Sequence, residues 1–164
     1  MATKNKKPKF LIGLGASAGG LDALEQFFDH APVDSGAAFV VVMHLSRDFK
    51  SMLDELLARR TGMTVKPAVD GDEIEADTVY VIQPNTALEV GATQLVVEKR
   101  QNVGVEGVAV AVDVLLRSIA ANWGPRGAAV VFSGSGSDGA KGIRAVRDAG
   151  GFTCAQSPET AKFD

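Results

Sequence analysis

Residues Ala37 to Met43 read AAFVVVM, seven apolar residues with no polar interruption. A strand showing one face to water would alternate, so this run is expected to be buried on both faces, as in a parallel sheet covered by helices. Phe10 to Leu14 and Ala128 to Phe132 have the same character, and Val79 to Ile82 and Phe152 to Ala155 supply shorter strands. Between them apolar residues recur at helical spacing: Leu21, Leu24, Phe27 and Phe28, then Met52, Leu53, Leu56 and Leu57, then Val112, Leu115, Leu116 and Ile119, then Ile143 and Val146. This alternation predicts an α/β fold, doubly wound, with a mainly parallel sheet flanked by helices and right-handed crossovers. From Thr64 to Glu98 the pattern breaks into short β-rich pieces separated by DGDE, PN and GA. One of these pieces, Val79 to Ile82, is the sheet strand, and the others predict an antiparallel β-hairpin at one edge, turning at Gly91 and Ala92.

A chain of 164 residues with 46% hydrophobic and 23% charged residues suits one domain with a sizeable core. Residues 1–9, with Lys4, Lys6, Lys7 and Lys9, read as a flexible basic tail, and residues 10–164 as the domain. A formal net charge of -3 gives no general attraction to nucleic acid, so no nucleic-acid partner is expected. The single cysteine, Cys154, excludes an internal disulfide, and its run GFTCAQ predicts a small buried hydrophobe. No apolar segment approaches bilayer length, so a cytoplasmic protein without membrane insertion is expected.

In an open α/β sheet the site lies beyond the C-terminal ends of the strands. Three loops qualify, those holding Ser17, His44 and the run Ser133 to Gly139. The first, FLIGLGASAGG, admits two readings: a G-x-S-x-G nucleophile turn at Gly15, Ser17 and Gly19, or a loose G-x-G-x-x-A dinucleotide cradle. A cradle should be followed by an acidic residue at the end of the second strand, where this chain has His44, and no G-K-[ST] supports a P-loop. A serine nucleophile needs a general base, and the base an orienting carboxylate. Ser17, His44 and Asp138 supply those roles, with Asp48 and Asp113 as alternative acids that are better explained as N-terminal helix residues. Asp138 also reads as a cap for the helix from Ala140. His30, at the end of the first helix, suits a helix-terminus contact. Gly13, Gly15, Gly19 and Gly20 are expected to let the backbone turn and approach a ligand. Backbone N–H groups around Ala18 and Gly19, with Gly134, Ser135, Gly136 and Ser137, would face an oxyanion.

With these residues in place, IGLGASAGGLDAL, VVVMHLSRDFKSMLDELLARR, VYVIQPN, VDVLLRSIA, VFSGSGSDGAKGIRAVRDAGG and AQSPETAKFD resemble the catalytic domain of the chemotaxis protein-glutamate methylesterase (CheB) family. The resemblance implies Ser17 as nucleophile, His44 as base and Asp138 as its carboxylate. It implies glutamate γ-methyl esters on chemoreceptor helices as substrate, glutamine deamidation as a companion activity, and no metal or organic cofactor. Arg47 and Arg117 would stand at the substrate cleft. The wording is closest to domains fused in methyltransferase, methylesterase and sensor-kinase hybrids, so receiver, methyltransferase or sensor-kinase modules are expected partners. The family pattern continues beyond the position of Asp164, which implies a C-terminally truncated domain, and the altered segment before Asp113 leaves a catalytically weak regulatory or scaffolding domain as the alternative.

Overall fold

In the computed structural model, which describes residues 6–17, 19–44, 52–99, 110–134 and 137–161, the chain alternates strand and helix much as its apolar runs predict. The order is β1 (Phe10–Ala16), α1 (Leu21–His30), β2 (Ala37–Met43), α2 (Leu53–Ala58), β3 (Thr64–Pro67), β4 (Thr78–Val81), β5 (Thr86–Val90), β6 (Leu95–Lys99), α3 (Ala111–Trp123), β7 (Gly127–Val131), α4 (Ala140–Asp148) and β8 (Phe152–Ala155). Six strands form one sheet in the order β3-β4-β2-β1-β7-β8, every pairing parallel. Every residue of β2, at its centre, is buried, as its unbroken apolar run requires.

Two details of the middle segment differ from the sequence reading. Thr64–Pro67 pairs with Thr78–Val81 and so adds a second sheet strand to the segment; its proline is tolerated because β3 is an edge with one neighbour. The hairpin of β5 and β6 is antiparallel and forms its own two-stranded sheet, and its turn spans four residues, closed by the Gly91 N–H donating to the Gln94 carbonyl at 2.8 Å. The Tyr80 hydroxyl anchors the loop before β4, donating to the Glu73 carbonyl and accepting the Glu75 N–H, both at 2.9 Å. Burial pushes that phenol up to about 12.

Alternation along β1 sends Leu14 and Ala16 to the face packed by α1 and α2, where Leu24, Phe28, Phe39, Leu53 and Leu57 complete one core. Leu11 faces the other core, built with Val112, Leu115, Leu116 and Ile119 of α3. Gly13 and Gly15 share that second face. They lie inside the strand and do not turn the chain: a Cβ on Gly13 would stand 2.5 Å from the Ile119 Cδ1, and one on Gly15 would overlap the Val112 side chain. Their missing side chains let α3 settle onto β1. Since Val112 is β-branched and stiff at χ1, it cannot fold away. Gly15→Ala is therefore expected to destabilise the domain by about 1–3 kcal/mol through overpacking, read as a lower urea midpoint at unchanged slope.

β8 is the other edge, paired only with β7. Cys154 is exposed there and is not the buried residue expected from its apolar neighbours, because an edge strand lacks a flanking strand to cover it. Phe10 and Phe152 are 51% and 69% exposed. With Ile12, Phe27, Phe39 and Ala128 they line an open apolar groove of about 640 Å³. No helix among the described residues is long and apolar enough to cross a membrane.

Candidate functional site

The parallel ladder brings the ends of β1, β2 and β7 to one rim and continues one residue past two of them. The His44 N–H donates to the Ala16 carbonyl at 3.0 Å, and the Ser17 N–H to the Ser133 carbonyl at 3.2 Å. Ser17, His44 and Ser133 are thus held by main-chain bonds at the C-terminal crest of the sheet, whatever their side chains do. The chain then turns through Gly19, at φ +77°, where a side chain would be strained. The Gly20 N–H closes this turn on the Ser17 carbonyl at 2.9 Å before α1 begins. Gly134 lies directly against the Ser17 side chain, and a Cβ there would overlap Oγ. From the far side, the Gln156 side chain accepts the Ser133 N–H at 2.8 Å and steadies the start of this loop.

His44 and Asp138, 94 positions apart, meet at 2.6 Å between Nε2 and Oδ2. The Asp138 side chain is 8% exposed and that of His44 21%. Asp138 Oδ2 also accepts the Val112 N–H at 2.9 Å, and Oδ1 accepts the Asp113 N–H at 2.8 Å. A carboxylate already accepting backbone donors can only accept from the imidazole, so Nε2 is the donor in this bond and, in the neutral ring, Nδ1 is the acceptor. The ring therefore offers Nδ1 to a further group.

The capping roles of the two aspartates are exchanged relative to the sequence reading. Asp138 does not cap the helix it precedes; it caps α3 through Val112 and Asp113. Asp113, read as an ordinary first-turn residue of α3, instead caps α4, its Oδ1 accepting the Gly139 N–H at 3.0 Å and the Gly142 N–H at 2.7 Å. The cause is tertiary: α3 and α4 begin side by side, so each acid lies nearer the other helix's free N–H groups than its own. Asp113 is 6% exposed. A sequence signal for it exists, since an acid three residues before buried Leu116 falls on the apolar face of α3.

Of the remaining candidates, Gly19, Gly134 and Ser137 lie on the two loops of the crest, and Arg117 is exposed on α3. Ala18, Ser135, Gly136, Arg47 and the alternative acid Asp48 lie outside the described residues. His30 is exposed, and its Nδ1 is 2.8 Å from the Gln26 carbonyl in the last turn of α1, in keeping with a helix-end role.

Residues 12–164 match the family model described as CheB methylesterase. A Burkholderia thailandensis protein-glutamate methylesterase/protein-glutamine glutaminase is 35% identical over 153 residues, 92% of this chain and 42% of that protein. A Symbiobacterium thermophilum protein of the same description is 34% identical over 156 residues, 95% of this chain and 43% of its own. The chain thus spans less than half the length of these curated relatives. The crystal structure of the Thermotoga maritima CheB methylesterase catalytic domain superposes with a TM-score of 0.85 at 28% identity, covering 94% of this chain and 82% of that one.

Proposed function

This chain belongs to the CheB methylesterase family, and from that membership we propose that it hydrolyses glutamate γ-methyl esters on the helices of chemoreceptor-like signalling proteins, with Ser17 as nucleophile, His44 as general base and Asp138 as the carboxylate that orients the imidazole. The observation that carries the assignment is the 2.6 Å bond from His44 Nε2 to a carboxylate whose two oxygens are each held by a helical N–H group. In this reading Nε2 donates to that carboxylate, and Nδ1 is the nitrogen that takes a proton at the rim where Ser17 stands.

In this mechanism Ser17 Oγ attacks the ester carbonyl carbon while its proton passes to His44 Nδ1. The tetrahedral intermediate expels methoxide, which takes that proton back and leaves as methanol. A glutamyl ester then remains on Ser17. Water, deprotonated by the same nitrogen, attacks that ester and releases the glutamate carboxylate and the serine. The Ser17 N–H is committed to the Ser133 carbonyl, so oxyanion donors are assigned to the opening of α1 and to the crest from Gly134 to Ser137. The names of the relatives pair methylesterase with glutaminase, and the same acyl chemistry, with ammonia in place of methanol, accommodates deamidation as a second proposed activity.

The direct test is methanol release from a methylated receptor cytoplasmic fragment, with an unmethylated fragment as control. Release above the spontaneous rate is expected only from the methylated one; a folded protein giving none would overturn the reading. Gly134→Ala offers a more local check. Its Cβ would displace Ser17 Oγ, and a shift on the order of 1 Å at a reacting atom is expected to lower kcat by about 100-fold while the denaturation midpoint changes little.

A further inference from the structure

We infer that Asp113 is a positioning residue for the reaction, holding the Asp138 loop against α3 so that the carboxylate meets His44; this rests on the proposed roles of Ser17, His44 and Asp138. Two sets of bonds cross between the same short segments in opposite directions. The α3 backbone, through the N–H groups of Val112 and Asp113, holds the Asp138 side chain. The Asp113 side chain holds the backbone immediately after Asp138, through the N–H groups of Gly139 and Gly142. The loop is thereby tied at its carboxylate and at its next peptide.

Local geometry makes the second tie matter. Gly139 sits at φ +108°, a conformation without intrinsic preference for any residue but glycine, so an external bond must select it. Gly142 lets α4 come close enough for Asp113 to reach: a Cβ there would stand 2.5 Å from the Leu116 Cβ and 3.2 Å from the Asp113 Cα. Without the Asp113 carboxylate, the Gly139 and Gly142 N–H groups lose their acceptor. Asp138 would keep its own bonds to α3 but on a loop free to swing, and the short bond to His44 is the one that tolerates displacement least.

The test compares Asp113→Ala with Asp113→Asn, which keeps an acceptor oxygen in the same place, in methanol release and in proton NMR of the His44 Nε2–H resonance. Asp113→Ala is expected to lose about 100-fold in kcat with KM within roughly twofold, and to broaden or shift that resonance. Asp113→Asn should recover most of the rate and the native resonance. An Asp113→Ala protein with wild-type kcat and an unmoved resonance overturns the inference, as does an Asp113→Asn protein as impaired as Asp113→Ala. Should the alanine variant not fold, Asp113→Ser, whose shorter side chain draws the acceptor back from Gly142, replaces it under the same criteria. Ser17→Ala assayed alongside separates the two levels: if it retains turnover the proposed nucleophile is wrong, whereas if it is inactive and Asp113→Ala is not impaired, only the positioning role fails.

Discussion

Ser17→Ala is expected to bring methanol release down by a factor on the order of 10⁵ to 10⁶, close to the residual rate left by binding and the oxyanion donors alone. The size follows from what is removed. The covalent route disappears entirely, because alanine has no oxygen to carry the glutamyl group, and His44 loses the proton it is placed to accept. Residue 17 itself stays where it is, since its main chain is tied to Ser133 and Gly20 irrespective of the side chain. Stability should therefore change by less than about 0.5 kcal/mol, so thermal melting run beside the assay separates lost chemistry from lost fold. Incubation with a fluorophosphonate adds a second readout: the wild-type protein should gain the mass of one phosphonyl group and Ser17→Ala none. Undiminished turnover by the variant would move the nucleophile elsewhere on the crest.

The parallel sheet was legible because burial on both faces leaves a mark on every residue of a strand. AAFVVVM carries that mark without interruption, and all seven residues are buried. The glycines of β1 were less transparent. Gly13 and Gly15 stand four and two residues before Ser17, and in a glycine-rich run they look like parts of a turn. Their reason lies in α3, about a hundred positions away, whose Val112, Leu116 and Ile119 occupy the space that side chains would need. The same fact weakens the dinucleotide reading, since both glycines of the G-x-G pair are covered by a helix and not by an open cradle. Cys154 was misread for a related reason: four residues of FTCA carry no sign of whether the strand has one neighbour or two, and β8 has one.

At the site, position after a strand was enough to place Ser17 and His44 on one crest, because the crest rule is a property of the topology. Asp138 was selected by the chemistry that a histidine base requires. What could not be read was the partner helix of each aspartate. Local sequence places Asp138 two residues before α4 and Asp113 in the first turn of α3, and local capping rules join each to its own helix. The bonds that form run between helices, and only the packing of α3 against α4 at Gly142 brings those donors within reach.

Asp138→Asn is expected to lower kcat by about 10⁴-fold, in line with the loss of an imidazole's correct tautomer, and to lower stability by about 1–3 kcal/mol. In the native protein three N–H donors, from His44, Val112 and Asp113, converge on two carboxylate oxygens. An amide offers one oxygen and one NH₂ group. If its oxygen faces His44 and Val112, the NH₂ opposes the Asp113 N–H, and a buried donor at the head of α3 is left unsatisfied. If the NH₂ faces His44 instead, Nε2 must accept, the ring proton moves to Nδ1, and the nitrogen that should take the Ser17 proton is already occupied. The first arrangement spares the tautomer at the expense of the helix, and the second loses the tautomer and also turns the NH₂ group on the Val112 N–H, which shares Oδ2 with His44 in the native protein. Because a charged base partner is lost in both, the rate falls either way, while the downfield Nε2–H resonance of His44 reports which arrangement wins. A kcat within about tenfold of wild type, accompanied by the fall in stability, would make Asp138 a cap for α3 and take it out of the chemistry.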